Sequence, residues 1–297
     1  MSQDTFAEQH AALLPPAAPE PAGYLNYCRA AFGQVFVMTV RRMRVVMAAV
    51  VCMLPVLIPL ATAFLSRDRF AQEGADQFRM LVEHAHITVL APLLALFFGS
   101  MLIGEDIEAN SIPYVLTRPM PRSAWVLGRF AAYLAVTGVI LLVSIALTFA
   151  ASTSLARFGV SAENLGILAQ YSGVALLALL GNGAVAVFLG TTTKRPIVTG
   201  VVILYGWQQL AVKVPGVIDF FTIEKYTSAM LPVLASQRGT QDSPEARQAL
   251  IEFTREVYAI GAAKACIVLL CISAAFLALT IAAVRIRQFA SSRAIGA

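Results

Sequence analysis

Charged side chains are scarce in this chain. Only 13% of its 297 residues are Asp, Glu, Lys or Arg, whereas 58% are apolar and the mean hydropathy is +0.74. A soluble domain carries about 25% charged residues, so the composition indicates a polytopic membrane protein. The net charge of +5 does not indicate nucleic-acid binding, because the basic residues stand at the ends of apolar runs rather than in one solvent-facing tract.

Catalytic signatures are also missing. The sequence contains no G-x-x-x-x-G-K-[ST], no H-E-x-x-H and no G-x-S-x-G, which are the motifs of nucleotide binding, zinc proteolysis and serine hydrolysis. The cysteines form no C-x-x-C pair, so we expect structural thiols rather than metal or disulfide chemistry; they are Cys28, Cys52, Cys266 and Cys271. We therefore expect a chain that is not an enzyme by itself and that binds no cofactor.

One short cluster could still bind a metal. Glu83, His84 and His86 stand close together before the second apolar run, and a membrane-embedded metal-dependent enzyme is an alternative that rests on them. Two histidines rarely suffice, because a zinc site uses three or four protein ligands. Anchoring of this helix end at the membrane interface is the more ordinary role.

Six apolar stretches approach the length of about 20 residues that a membrane-spanning helix needs. The fifth is the weakest, because it is short and contains Gln208 and Gln209. The central parts of the six stretches hold no ionisable group, which disfavours a proton-coupled transporter. We predict an all-α polytopic membrane protein with spans at about 45–65, 83–104, 126–151, 167–192, 196–212 and 263–284.

The N-terminal part divides in two. Residues 1–23 are rich in Ala and Pro and predict a disordered lead. From residue 24 to 44, apolar residues including Tyr24 and Tyr27 recur at helical spacing, with Arg41 and Arg42 near the end. This pattern predicts an amphipathic interfacial helix, or alternatively an extension of the first span. We assign residues 24–297 to one transmembrane domain.

The distribution of Lys and Arg predicts the orientation. With the N-terminus inside, the inner segments carry twelve basic residues against six acidic ones, while ten basic residues face eleven acidic ones outside. This bias follows the positive-inside rule, so we expect both termini in the cytoplasm. The outer connection at 213–262 is the only sizeable soluble portion, and a helix at 244–260 is predicted within it.

A polar segment, Gly104–Arg122, separates the second and third spans. Ser111 can cap a short helix with Pro113 in its first turn, and Pro119 ends it. So short a helix is not stable alone, so it must be held by the neighbouring spans and by a surface that it docks against.

Charge flanks this short helix on both sides. Glu105 and Glu108 share one helical face, and they could pair with Arg118 or Arg122, or with Arg41 or Arg42 of the N-terminal helix.

The same segment resembles a known family. The run EDIEANSIPYVLTRPMPR, followed by Trp125, Leu127, Gly128 and Arg129, resembles the first cytoplasmic loop of ABC transporter permeases of the type-2 export class. Asn110 stands where that family often has Gly, and Arg129 where Lys is common.

The resemblance implies a function. The chain would be the membrane-spanning permease subunit of an ATP-driven exporter in the inner cell membrane, paired with a second copy and with a separate ABC ATP-binding subunit that holds ATP and Mg. The loop at 105–124 would be a cytoplasmic coupling helix seated in a cleft of that subunit. The implied coupling residues are Glu105, Asp106, Glu108, Ser111, Ile112, Pro113, Tyr114, Val115, Leu116, Arg118, Pro119 and Arg122. A membrane scaffold that binds a soluble partner through residues 104–122 is the alternative.

Overall fold

The structure, a computed structural model, describes residues 23–40, 43–65, 74–108, 120–155, 161–193, 195–207, 222–231 and 261–286. Within these ranges the chain is almost entirely helical and contains no strand. The predicted N-terminal lead at 1–23, apart from its last residue, and the predicted helix at 244–260 lie outside the described residues.

Eight helices account for the described residues. They are α1 (Tyr24–Val40), α2 (Met43–Leu65), α3, α4 (Arg122–Leu155), α5 (Ala162–Thr192), α6, α7 (Ile223–Ala229) and α8 (Ala262–Ile286). Helix α3 is a succession of Gly74–Leu81, the π-helical Val82–Leu90, Ala91–Leu94, the π-helical Ala95–Gly99, and Met101–Glu108. Helix α6 consists of Pro196–Val201 and the π-helical Val202–Trp207.

Five of these helices are long and apolar enough to cross a membrane. Their spanning portions are Met43–Ala61, Gln77–Ile107, Arg122–Thr153, Asn164–Thr192 and Ala262–Ile286. The all-α polytopic architecture is therefore confirmed. The predicted span at 196–212 is represented by the shorter apolar helix Pro196–Trp207, and because residues 208–212 lie outside the described part, the sixth span stays a prediction.

The helices alternate in direction, which four contacts establish. Arg44 at the start of α2 and Arg129 near the start of α4 bond to the last turn of α3. The last turns of α5 and α8 lie at the same end of the bundle. The carbonyl of Gly190 on α5 adjoins Gly104 on α3, and the carbonyl of Arg285 on α8 accepts a hydrogen bond from Arg122 on α4. We call this side of the bundle the Glu105 end. Since α8 ends there at Ile286, its first residue, Ala262, lies at the opposite end of the bundle.

Helices α3, α4 and α5 form the centre of the bundle. Helix α4 packs against α1, α2 and α5, and α5 packs against α3 and α8. The most apolar windows of α3 and α5 are 61% and 72% buried, whereas those of α2 and α8 are only 17% and 22% buried. The faces of α2 and α8 are therefore the ones left to contact lipid or another subunit.

Six buried hydroxyl groups form hydrogen bonds within their own helices. Each of six buried residues donates to the carbonyl four residues earlier in its own helix, at 2.7–2.9 Å; they are Thr137, Thr148, Ser152, Thr191, Ser273 and Thr280. An unpaired polar group costs several kcal/mol in hydrocarbon, on the order of 2–7 kcal/mol by transfer scales. These hydroxyls avoid that cost without requiring a partner helix.

The π-helical segments flank Pro92 within α3. Proline lacks an N–H and its ring crowds the carbonyl one turn back, and a π-bulge is one way in which a helix accommodates such a break. The backbone N–H of Ala91 bonds to the carbonyl of His86, five residues back. The hydroxyl of Thr88 likewise donates to Glu83 O at 3.1 Å. The wider turns keep the backbone paired on both sides of Pro92.

Helix α7 lies within the region predicted as the outer loop at 213–262. It begins after Thr222, whose side chain accepts from the backbone of Lys225, and it packs against α5, α8 and α3. Ile223 lies beside Gly181, near the middle of α5, and Gln170 Nε2 on α5 donates to Met230 O at 3.1 Å. Part of this connection is thus packed against the bundle.

Three glycines on α5, Gly181, Gly183 and Gly190, allow its neighbours to approach closely. A Cβ on Gly183 would lie 2.5 Å from the ring of Tyr133 on α4, and one on Gly181 would lie 2.9 Å from Leu269 on α8. A Cβ on Gly190 would overlap the backbone carbonyl of Ser100 on α3. Backbone cannot move aside as a side chain can, so Gly190 marks the tightest constraint.

We predict that Gly190→Ala destabilises the protein. The added methyl must displace the backbone of α3, and overpacking of this kind costs about 1–3 kcal/mol, so the Tm in detergent should fall by several degrees. Gly173→Ala on the same helix is the control, because a Cβ there meets nothing within 4 Å and alanine favours a helix. Equal Tm values for the two variants would contradict the close approach of α3 and α5.

Candidate functional site

The segment between α3 and α4 is where sequence analysis places function. The structure describes both of its ends, since α3 continues to Glu108 and α4 begins at Arg122. Helix therefore reaches into both sides of the loop predicted at 105–124. The predicted residues between them lie outside the described part of the chain; they are Ser111, Ile112, Pro113, Tyr114, Val115, Leu116, Arg118 and Pro119.

Two adjacent acids at the end of α3 bind two different helices. Successive residues of a helix point about 100° apart, so neighbouring side chains reach different neighbours. Glu105 forms an ion pair with Arg44 of α2, and Asp106 forms one with Arg129 of α4. The last turn of α3 is thereby held to the helices on both sides of it.

The pair of Asp106 with Arg129 is the more buried of the two. The exposed fractions of the side chains are 22% and 7%. Arg129 also donates to Leu102 O at 2.7 Å, and its guanidinium lies 4.4 Å from the ring centre of Trp125, one turn earlier on α4. A buried charge is costly unless it is paired and hydrogen-bonded, and this arginine has a carboxylate, a carbonyl and an aromatic face around it.

The pair of Glu105 with Arg44 is more open to solvent, with exposed fractions of 33% and 52%. Arg44 also lies 3.0 Å from the sulfur of Met101, which stands one turn before Glu105 on α3. Exposed pairs contribute about 0–1 kcal/mol. Sequence analysis proposed Arg41, Arg42, Arg118 or Arg122 as the partner of Glu105, and the structure places Arg44 there.

The other end of the segment is tied to α8. Arg122 Nη1 donates to the carbonyl of Arg285 at 2.9 Å. This carbonyl belongs to the last turn of α8, where orphan carbonyls favour a cationic donor. Arg122, one of the implied coupling residues, thus links two helices of this chain, and its role in coupling stays a prediction.

The predicted interfacial helix packs along the start of α4. Ala31 and Val35 of α1 are buried, and a Cβ on Gly128 would lie 2.8 Å from Ala31, so α1 and α4 cross closely at this glycine. Tyr27 is half-buried and Tyr24 is exposed, while Arg41 and Arg42 lie outside the described residues. The position of α1 at a membrane interface stays a prediction.

The histidine cluster near the far end of α3 is arranged for packing. His86 is fully buried rather than exposed as an interface anchor would be. Its Nε2 lies 2.9 Å from Ser144 Oγ on α4, its Nδ1 lies 3.3 Å from Leu81 O, and Ser144 donates to Cys52 O on α2. His84 Nδ1 instead faces Met80 O. Among the described residues no group of three His, Cys, Asp or Glu could hold a metal ion.

Three residues of this site were not predicted from the sequence: Arg44, Met101, and Trp125 as the aromatic contact of Arg129. The contact of Trp125 could have been predicted, because residues four apart on a helix lie on one face and Arg129 follows Trp125 at that spacing. No such signal existed for Arg44, since its partner lies 61 residues away on another helix.

Comparison with protein families matches this chain to the model described as ABC-2 family transporter protein. The match covers residues 37–206, more than half of the chain. The matched range includes α2 to α5, all of α6 except Trp207, and both ion pairs at the end of α3, whereas Arg285 and most of α1 lie outside it. No protein of curated function matches the chain.

We predict that breaking the two ion pairs lowers the free energy of unfolding by different amounts. Asp106→Asn should cost about 3–5 kcal/mol, because it leaves the buried Arg129 without its carboxylate. The matched change Glu105→Gln should cost less than about 1 kcal/mol. Thermal or denaturant unfolding in nanodiscs measures both. The double variant Asp106→Leu/Arg129→Met should recover much of the loss, and equal costs for the two single variants would contradict the assignment.

Proposed function

This chain belongs to the ABC-2 transporter family, and we propose that it acts as the membrane-spanning subunit of an ATP-driven exporter. Members of this family are multi-pass membrane permeases, so the chain is a transport subunit rather than an enzyme. Family membership implies an ABC ATP-binding subunit as partner. We infer that ATP and Mg are held by that partner, in keeping with the missing phosphate-binding motif in this sequence.

The observation that carries this proposal is how the ends of the segment at 109–119 are held. On one side, Glu105 and Asp106 bind α2 and α4; on the other, Arg122 binds α8. A force on the segment would therefore be passed to three spanning helices at once. Connected networks of packed helices and ion pairs of this kind can carry coupling between the site that receives a ligand and the elements that move.

We assign different roles to the predicted coupling residues. Ile112, Tyr114, Val115 and Leu116 would bury against the ATP-binding subunit, while Ser111, Pro113 and Pro119 would shape the short helix. Glu108 and Arg118 would set its register by charge. Glu105, Asp106 and Arg122 are engaged with helices of this chain, so their proposed role is to fix the coupling segment to the permease.

The orientation and assembly follow as further parts of the proposal. The Glu105 end would face the cytoplasm in the inner membrane, because Arg44, Arg122, Arg129, Arg195 and Arg285 cluster there and Lys and Arg favour the inner side. Two copies would pair as a homodimer, for which the poorly buried faces of α2 and α8 offer apolar surface.

Coupling can be tested at Leu116. The chain is co-expressed and co-purified with the proposed ABC ATP-binding subunit, and ATP hydrolysis by the complex is measured in nanodiscs. Leu116→Glu places a charge in the proposed apolar contact, so hydrolysis or co-purification should fall about tenfold or more, which corresponds to about 1.4 kcal/mol. Leu165→Glu is the control, because Leu165 is an exposed leucine at the opposite end of the bundle. A fully active Leu116→Glu complex would remove the coupling role.

Orientation can be tested by labelling single cysteines. In a variant without the four native cysteines, Ser161→Cys at the start of α5 should react with a membrane-impermeant maleimide on intact cells. Ser111→Cys should react only after the inner membrane is opened, because it would face the cytoplasm. The reverse pattern would show that the Glu105 end points outward.

A further inference from the structure

A cavity of about 100 Å³ lies beside the two ion pairs, between α1, α2, α3 and α4. One water needs only about 10–15 Å³ measured in this way, so the cavity can hold a group of several heavy atoms. Its lining includes Met38 and Thr39 from α1, Arg44 from α2, Phe97 and Glu105 from α3, and Arg129 from α4.

The lining of this cavity has two different sides. Met38 and Phe97 are apolar and are 53% and 50% exposed on the outside of the bundle. Arg44, Glu105 and Arg129 place charge on the other side, together with the hydroxyl of Thr39. Three of the four helices that form the cavity, α2, α3 and α4, are long and apolar enough to cross a membrane. In a bilayer the apolar opening would therefore face lipid chains, and the charged side lies where the span of α3 ends. A molecule with apolar chains and a charged headgroup would fit these two sides of the cavity.

Arg129 has donor capacity that the described residues do not use. Its side chain is 93% buried, Nη1 is bonded to Asp106 and Leu102 O, and Nε is buried without a hydrogen-bond partner among the described residues. A guanidinium has five N–H donors, and leaving a buried donor unpaired is unfavourable. The Nε is closed to solvent, so an anionic oxygen in the cavity would meet the half-exposed guanidinium of Arg44 first and would lie beside the rest of the Arg129 side chain, which lines the same cavity.

The charge balance favours a zwitterion over a simple anion. Two arginines and two carboxylates line the cavity, so an isolated phosphate would meet repulsion from Glu105 and Asp106 as well as attraction. A ligand with an ammonium beside its phosphate satisfies both signs. The carboxylate of Glu105 is one-third exposed, which leaves it accessible to an ammonium that donates hydrogen bonds, and a quaternary ammonium has no such donor.

We propose that this cavity binds the headgroup of phosphatidylethanolamine. The phosphodiester lies against the guanidinium groups of Arg129 and Arg44, the ammonium lies against Glu105, and the acyl chains leave past Met38 and Phe97 into the bilayer. The site depends only on the chain's place in a membrane and does not require the proposed coupling to an ATP-binding subunit. A lipid held there would stabilise the last turn of α3 against α1, α2 and α4.

Native mass spectrometry of the purified full chain tests the proposal. The protein is exchanged into detergent containing equal amounts of phosphatidylethanolamine, phosphatidylcholine and phosphatidylglycerol. We expect phosphatidylethanolamine to be retained about tenfold more than either of the others, because it alone satisfies both charges of the site. Equal retention of the three lipids would overturn the proposal.

Two variants locate the binding without disturbing the buried pair. Thr39→Trp should fill the cavity, and Arg44→Gln should remove one guanidinium; each should lower the retention of phosphatidylethanolamine about tenfold. Arg195→Gln is the matched control, since Arg195 is an exposed arginine at the same end of the bundle and outside the cavity lining, and it should retain the lipid. Unchanged retention in both cavity variants would place the lipid elsewhere and overturn the proposal.

Inorganic phosphate separates a lipid site from a general anion site. Phosphate alone should leave the Tm of the lipid-depleted protein unchanged, whereas added phosphatidylethanolamine should raise it by mass action. An equal rise with phosphate alone would mean that the cavity binds a free anion, which would contradict the zwitterionic assignment.

Discussion

Arg129 is the residue on which the Glu105 end of this bundle depends. Removing a guanidinium from water is expensive, and the attraction of one carboxylate compensates only when further groups solvate the charge. Asp106, Leu102 O and the ring of Trp125 supply those groups from two helices. The positions of α3 and α4 are therefore constrained together, because a shift of either helix would separate a desolvated charge from its partners.

Close backbone packing reinforces that constraint further along α3. Gly190 on α5 admits the carbonyl of Ser100, and Gly104 on α3 adjoins the carbonyl of Gly190. Cores packed at this density change between discrete arrangements rather than deforming continuously. Several buried hydroxyls bond within their own helix, but Tyr133 donates to Leu179 O on α5 and Ser144 donates to Cys52 O on α2. A shift of α4 against these neighbours would therefore break hydrogen bonds as well as the steric fit.

The sequence predicted the parts of this structure that depend on local composition. Hydropathy identifies the five spanning helices, and the glycines of α5 are recognisable as contact points because small residues permit close approach. It could not predict which basic residue meets Glu105, since Arg44, Arg41 and Arg42 are equivalent until the rotation of α2 is known. The same holds for His86, whose neighbours Ser144 and Cys52 belong to two other helices. Hydropathy also gave no sign of α7, because a seven-residue helix is too short for a periodic signal.

Glu105 and Asp106, the two adjacent acids of α3, hold the coupling segment with different strength because their surroundings differ. Asp106 meets a buried cation, so its bond is costly to break and fixes the distance between α3 and α4. Glu105 meets a cation in contact with solvent, where water can replace the carboxylate at small cost. If the segment at 109–119 moves, we therefore expect the distance between α3 and α2 to change first, while α3 and α4 move as one body. The cavity adjoins both ion pairs and is lined by α2 as well as by α3 and α4, so the weaker bond can open beside an existing space.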